Sequence, residues 1–408
     1  MLLLIFVKCN QLVKITKNYP DQKPMFPIEI AELSTLAFRD ELSVQYIEKH
    51  GFPPYDLSHW DPSEETVEKL LPSLNFPNPQ NVLTYIFSYD LDDTRAALLN
   101  RLGFSETEQD VLIVPTGTSA IAFTAWWLRC QGIEQVIVLC PAYFSSFYAL
   151  DLFEITYKRL YLTRRSGEWE LPYESIIKAS KNIQNTAIWI TNPIYTTGVY
   201  LGSAEVAFVN SLIDHGVTVI ADECHAIPGM EITPKLHQGK HLVGICSPHK
   251  SVCINAAKFG AVIFEKSFDR FFAEWTDILI GGLSVSNYSA VLHFLSQNFS
   301  TFQRAFNGRI EKAREIVKTI IAEVGGGLEI DSSSTGYLMS CYLPRLATPD
   351  NCDEVLRSII FNAGVTVIPG IRNHFDPELG FNFRINLARL EPQFISGLHR
   401  AAHFLSKL

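Results

Sequence analysis

No Cys-x-x-Cys pair occurs among the eight cysteines of this chain. That excludes the usual structural zinc frameworks and leaves isolated thiols, the pattern of a reducing, cytoplasmic compartment. No stretch reaches about 18 uninterrupted apolar residues, so no membrane helix is expected. The apolar opening, Met1 to Val7, has no basic run ahead of it and no small-residue cleavage site close behind. A loose or extended start is expected there rather than a signal peptide. Positive charge is in deficit, with 34 Lys and Arg against 43 Asp and Glu for a net −9, which speaks against an extended nucleic-acid footprint. Internal repeats and low-complexity segments are missing too. So is a Gly-x-Gly-x-x-Gly after a strand with an acid about twenty positions on, the mark of a nicotinamide enzyme.

What is present is a composition for a large core. Hydrophobic residues make up 47% and charged residues 19% of 408 positions, enough for two lobes around a cleft. Seven short apolar runs read as strands: Val111–Val114, Gln135–Leu139, Thr156–Leu160, Ala187–Thr191, Val217–Ala221, Val243–Cys246 and Gly260–Phe264. Most are unbroken rather than alternating, as strands covered on both faces are. Helical patterns lie between them at Ser119–Cys130, Tyr143–Leu152, Tyr173–Ser180 and Ala204–His215. This alternation predicts an α/β fold, a mostly parallel central sheet sandwiched by helices. Gly260–Phe264 follows its neighbour too closely for a crossover and is the candidate antiparallel member. Past residue 285 the pattern changes to a smaller α+β lobe. A long helical stretch from Ser289 to Val324 is expected to break near Asn307-Gly308 and to stop at Gly325 to Gly327. Strands near Gly336–Leu343 and Val365–Ile368 and a helix from Pro392 follow. The expected division is residues 1–55 packing on the small domain, 56–285 as a large cofactor-binding domain and 286–408 as the small domain.

Chemistry collects where strands end. Val217 to Asp222 is a strand closing on a carboxylate, and the next apolar run closes on Ser247-Pro248-His249-Lys250. A lysine amine there can form a Schiff base with the aldehyde of pyridoxal phosphate. A carboxylate on the preceding strand, Asp222, can keep the pyridine nitrogen protonated so that the ring accepts electrons. His225, three residues on, could reach the phenolic oxygen or a substrate proton. Glu223 is read as an anchor for neighbouring backbone. Gly117, Thr118 and Ser119 sit at a strand-to-helix turn whose N–H groups and hydroxyls suit a phosphate. Ser247 could donate to that phosphate, and Lys258 could pair with it as a point charge. Tyr143, just past a strand end, could lie flat on the ring. Asn192 or the Tyr195 hydroxyl could meet the phenolic oxygen. In Phe381 to Leu387 a lone Arg384 stands among apolar neighbours, suited to grip a carboxylate with two parallel hydrogen bonds.

In this order, Gly117, Tyr143, Asn192, Asp222, Lys250 and Arg384 resemble the fold-type I pyridoxal-phosphate enzymes, most closely the class I/II aminotransferases. The resemblance runs from about Ile28 to the end of the chain. Asp56-Leu57-Ser58-His59-Trp60-Asp61-Pro62 is similar to the family's substrate-touching N-terminal segment, with Trp60 where a glycine is common. Val365 to Gly370 is similar to its Val-x-Val-x-Pro-Gly run. Tyr85 and the stretch Asp93 to Ala97 resemble the region where a tyrosine reaches the partner subunit's phosphate. The resemblance implies a homodimer with shared sites, pyridoxal 5′-phosphate as cofactor, no metal, and amino acid and keto acid substrates. Departures bear on the reaction. Tyr195 stands in the place of the asparagine that meets the phenolic oxygen, His225 in place of a tyrosine and Lys258 in place of a phosphate-binding arginine. The Asp-Glu-x-His and Ser-x-His-Lys runs are similar to those of decarboxylases, and the first also to that of α-oxoamine synthases.

The leading expectation is a cytoplasmic aminotransferase in amino acid metabolism or biosynthesis, with Lys250 and Asp222 catalytic and Arg384 and Trp60 at the substrate. The alternatives are decarboxylation, β/γ-replacement or cyclisation on the same cofactor, or a catalytically silent relative. Neither nucleic acid nor membrane is an expected partner.

Overall fold

The computed structural model describes residues 31–75, 85–180, 185–268, 279–346 and 352–408. The N-terminal run of seven apolar residues and most of the expected 1–55 segment's first half lie outside them. Residues Glu32–Leu408 form one compact unit.

All seven apolar runs are strands of one sheet: β1 Gln109–Val114, β2 Gln135–Cys140, β3 Thr156–Tyr161, β4 Thr186–Thr191, β5 Thr218–Glu223, β6 Leu242–Cys246 and β7 Gly260–Glu265. Their spatial order is β1-β7-β6-β5-β4-β2-β3. The pairs among β2 to β6 are parallel, whereas β7 runs antiparallel to both β6 and β1, as its short connection requires. Helices α1 Gly117–Cys130, α2 Phe144–Leu152 and α3 Ser203–Asp214 fill the crossovers. Each face of the sheet has its own core. Val136, Val138, Trp189 and Ile220 pack on one side, and Ile137, Ile188, Ile190 and Val219 on the other. Neighbours in sequence thus point to opposite layers, which is why both had to be apolar.

A second sheet comprises β8 Glu329–Ile330, β9 Leu338–Leu343, β10 Ile368–Pro369 and β11 Phe381–Asn386, in the order β8-β9-β11-β10. The Val365–Ile368 run divides: Val365–Thr366 pairs with Tyr55–Asp56 instead, in parallel. The expected break at Asn307-Gly308 does not occur. One helix, α4, ends at Leu295, and a 28-residue helix, α5, runs unbroken from Gln297 to Val324. The interruption falls at Ser296, which is extended (φ −86°, ψ 162°). A glycine inside a helix costs only about 1 kcal/mol, and the buried stripe Phe299, Phe302, Phe306, Ile310, Ala313 and Val317 outweighs it. The stop at Gly325 to Gly327 stands, with all three glycines at positive φ. The helix Ala31–His50 packs Tyr46 against Phe361, 6.2 Å between ring centres. Among the described residues, no helix is long and apolar enough to cross a membrane.

Candidate active site

The carboxyl ends of β4, β5 and β6 open on one side of the main sheet, and there the polar residues gather. Asp222 and Glu223 end β5 and point to opposite faces. Asp222 is 2% exposed and its Oδ1 accepts from the Cys224 N–H (3.2 Å). Burial pushes its carboxyl above the usual range, against the pull of Cys224 and the Trp189 indole. Glu223 is read correctly as an anchor. Its Oε1 accepts from Asn192 Nδ2 (2.7 Å) and Ile232 N (2.7 Å), its Oε2 from Thr233 N (3.0 Å) and the Thr233 hydroxyl. Burial raises this carboxyl to about 7 against those four donors.

Lys250 follows β6 on a single turn, its N–H bonded to the Ser247 carbonyl (2.9 Å). Burial lowers its pKa first, and the cations Lys258 and Arg384 lower it further. A depressed amine is the neutral, nucleophilic form nearer neutrality. Lys250 and Asp222 both act on Cys224: Asp222 accepts from its N–H, and the Lys250 charge acts on its thiol. The same Cys224 Sγ would lie 2.6 Å from a Cβ built on Gly117. A Cβ on Gly260 would lie 2.4 Å from the Thr116 carbonyl oxygen. Only glycine fits at both, so two backbones approach closely where a phosphate is expected. Thr116 caps α1 there, its Oγ1 accepting from Ser119 N (3.0 Å).

Around the amine stands an aromatic wall. Trp60 stacks on His225 (6.1 Å, 27°) and meets Tyr143 edge-on (6.4 Å). Tyr143 lies 5.6 Å from Tyr195, which lies 6.0 Å from His225. Lys250 Nζ is 5.0 Å and Arg384 Cζ only 3.5 Å from the Trp60 ring centre. Arg384, on β11, is fully buried and fastened through Nε (3.0 Å) and Nη2 (2.8 Å) to the Ser58 carbonyl. His225 Nδ1 is 3.0 Å from the Tyr337 hydroxyl, and burial with the charges of Lys250 and Arg384 holds the imidazole well below its usual pKa. Lys258 is half-buried, its pKa lowered by burial and raised by Asp61.

Some expected contacts are otherwise engaged. The Ser247 hydroxyl donates to the Phe259 carbonyl (2.7 Å), so it is spent on backbone rather than held out for a phosphate. Ser119 Oγ is 3.0 Å from Thr116 Oγ1, while Thr118 is exposed. The Asn192 amide is tied to Glu223 and, through Oδ1, to Leu201 N (3.1 Å), which leaves Tyr195 and His225 as the polar side chains facing the wall. Tyr85 is 83% exposed and stacks on Phe87 (5.4 Å), apart from the wall in its own chain. Tyr337, Ser58 and Cys224 are the site neighbours that residue-by-residue reading missed. Tyr337 carries no sequence signal; only the register that sets Ser340 opposite Arg384 brings it in.

The model of the family described as aminotransferase class I and II matches residues 50–399. No curated protein matches. Among solved structures, the chain is similar to an aspartate aminotransferase double mutant of Thermus thermophilus, with a TM-score of 0.73 at 16% identity over 94% of this chain and 98% of that one. It is similar to YbdL of Escherichia coli, for which a methionine aminotransferase function is reported, at TM-score 0.71 and 17% identity over 95% and 99%. A pyridoxal-phosphate-bound C–S lyase of Staphylococcus hominis aligns at TM-score 0.67 and 16% identity, over 86% and 92%. At such identities these likenesses carry the fold alone.

Proposed function

Because the chain belongs to the aminotransferase class I and II family, we propose that it moves an amino group between an amino acid and a keto acid through Lys250. It is an enzyme of that family, and its cofactor is pyridoxal 5′-phosphate. The residues fit that cofactor. Gly117 and Gly260 allow close packing at the start of α1, where N–H groups can meet a phosphate, and an amine and a buried carboxylate both act on one thiol. When bound, the cofactor draws electrons from the substrate's Cα.

The chain's own residues supply the rest. Lys250 would hold the cofactor through its amine and, when free, would move the Cα proton as a neutral base; burial and two neighbouring cations favour that neutral state. Asp222 faces the ring nitrogen with a buried negative charge. A lone buried carboxylate is costly, and a cationic ring nitrogen is the partner that would bring its pKa back down. Tyr143 would cover the ring, Tyr195 and His225 would meet its phenolic oxygen, and Gly117, Thr118, Ser119 and Lys258 would hold the phosphate end. Arg384 binds the α-carboxylate. Its Nε and one Nη2 proton donate to the Ser58 carbonyl, which fixes the plane of the guanidinium. A gripped carboxylate is a poor leaving group, which favours breaking the Cα–H bond over decarboxylation.

The observation that carries this reading is the pairing of a fully buried Arg384 with a depressed Lys250, both within 5.0 Å of the Trp60 ring centre. We also read a cytoplasmic homodimer, with Tyr85 offered to the partner; the seven described cysteines are all free thiols. Titrating the purified protein with a panel of amino acids tests the function. Conversion of the bound cofactor to its amine form, with one keto acid made per cofactor, is expected. Carbon dioxide without keto acid would replace transamination by decarboxylation, and ammonia with a released thiol would replace it by elimination.

A further inference from the structure

The 3.0 Å contact between His225 Nδ1 and the Tyr337 hydroxyl joins the loop after β5 to the residue that precedes β9 in the second sheet. Tyr337 is 3% exposed, and Nδ1 is the partner its hydroxyl has among the described residues. A phenol carries one donor and can also accept. Were Nδ1 to donate, the buried phenolic proton would have no acceptor, which folded proteins avoid. The phenol therefore donates, Nδ1 accepts, and the proton of the neutral ring sits on Nε2.

We propose that Tyr337 is a positioning residue that holds His225 in the Nε2–H tautomer, so that a fixed N–H donor faces the cofactor's phenolic oxygen. This rests on the cofactor reading given above. With Nε2 protonated, the imidazole donates to that oxygen and favours its anionic form. With the proton on Nδ1, a lone pair would face the oxygen instead. Burial dominates on both members of the pair, against an opposing pull of Arg384 on the phenol. Lys250 and Arg384 face His225 and, with burial, keep it neutral. Cys253, Arg384 and Tyr143 act on Tyr337, whose phenol burial holds well above its usual range and so keeps as a donor. The flanking rings of Trp60 and Tyr195 leave His225 little room to turn.

Nitrogen-15 NMR of the histidine-labelled full chain, with and without added pyridoxal 5′-phosphate, tests the proposal. His225, assigned by the loss of its signals in His225→Gln, is expected to show a pyrrole-type Nε2 and a pyridine-type Nδ1 in both states. Tyr337→Phe keeps the ring that packs 6.5 Å from Phe306 and removes the hydroxyl alone. In it the two tautomers are expected to mix, and affinity for the cofactor to fall about tenfold, the scale of one hydrogen bond. The acid limb of the rate profile is expected to move to higher pH, because an unoccupied Nδ1 takes a proton more readily. A protonated Nδ1 in the wild type, or an unchanged tautomer in Tyr337→Phe, overturns the proposal. The wild-type spectrum alone decides it if the variant does not fold. If the wild type binds no cofactor, the cofactor reading fails, while the spectrum of the free chain still judges Tyr337.

Discussion

Asp222 and Glu223 are adjacent carboxylates on one strand, both almost fully buried, and they live in opposite circumstances. On one face Glu223 receives four hydrogen bonds from two segments and ties the end of β4 to the chain returning at Thr233. On the other face Asp222 accepts from Cys224 and looks into the space shared with Lys250. The first carboxylate is satisfied by its own protein and is architecture. The second is pushed up by burial, as Lys250 is pushed down, and groups so shifted collect where a ligand is bound. The alternation of a strand lets one dipeptide serve both ends.

This contrast can be broken from either side. Asp222→Asn is expected to lower turnover by roughly 10²–10³-fold, about 3–4 kcal/mol of transition-state stabilisation. Its midpoint in urea should hold or rise, because a buried charge is removed. A large loss of stability would make Asp222 architectural as well. Glu223→Ala is expected to do the reverse. It strips partners from buried donors at roughly 1–3 kcal/mol each, so a loss of about 3 kcal/mol or more is expected by urea unfolding of the cofactor-free chain. An intact stability with lost turnover would put Glu223 in the chemistry.

A third, uncharged pair sharpens the comparison with the smallest effect. His249, next to Lys250, and His293 on α4 are fully buried and 3.1 Å apart, Nε2 to Nδ1. Burial lowers His249 to about 3, with His293 adding to it, and lowers His293 to about 4. The unfolded rings take protons below about 6.5, and the folded ones do not until those lower values. The unfolded state thus binds more protons in between, and stability falls as pH drops from about 6.5 towards 4. At pH 5.5 the loss against pH 7.5 is expected to be about 1 kcal/mol per ring, read from urea midpoints. His293→Phe should remove about half of it; a pH-independent stability would mean the folded rings take up protons as readily as the unfolded ones.

Reading along the chain recovered the main sheet because most of its strands are buried on both faces and therefore unbroken in the sequence; the edge strand β3 is largely exposed. The boundaries moved by a residue or two, as at Gln109–Val114, since an end is set by pairing with β7 and not by hydropathy. Gly308 misled because local propensity was weighed without the apolar stripe that its helix buries. At the site the same division holds. Lys250, Asp222 and Arg384 could be found because each is a charge ending or interrupting an apolar run. Ser247 and Asn192 looked equally suited to the cofactor, yet their polar atoms are engaged by Phe259, Glu223 and Leu201, contacts 9 to 31 positions away in no recognisable pattern.

What the amino-acid order determined by itself is the set of strands, the antiparallel place of β7 and the supply of chemically able side chains at strand ends. These follow from periodicity and connection length, which are local. Which of those side chains remain available was decided only in three dimensions. Hydrogen-bond partners such as Tyr337 for His225 and Ser58 for Arg384 come from strands and loops that meet through the register of the second sheet. Burial, which sets the protonation of Lys250, His225 and Asp222, is likewise a property of the packed molecule and of no segment within it.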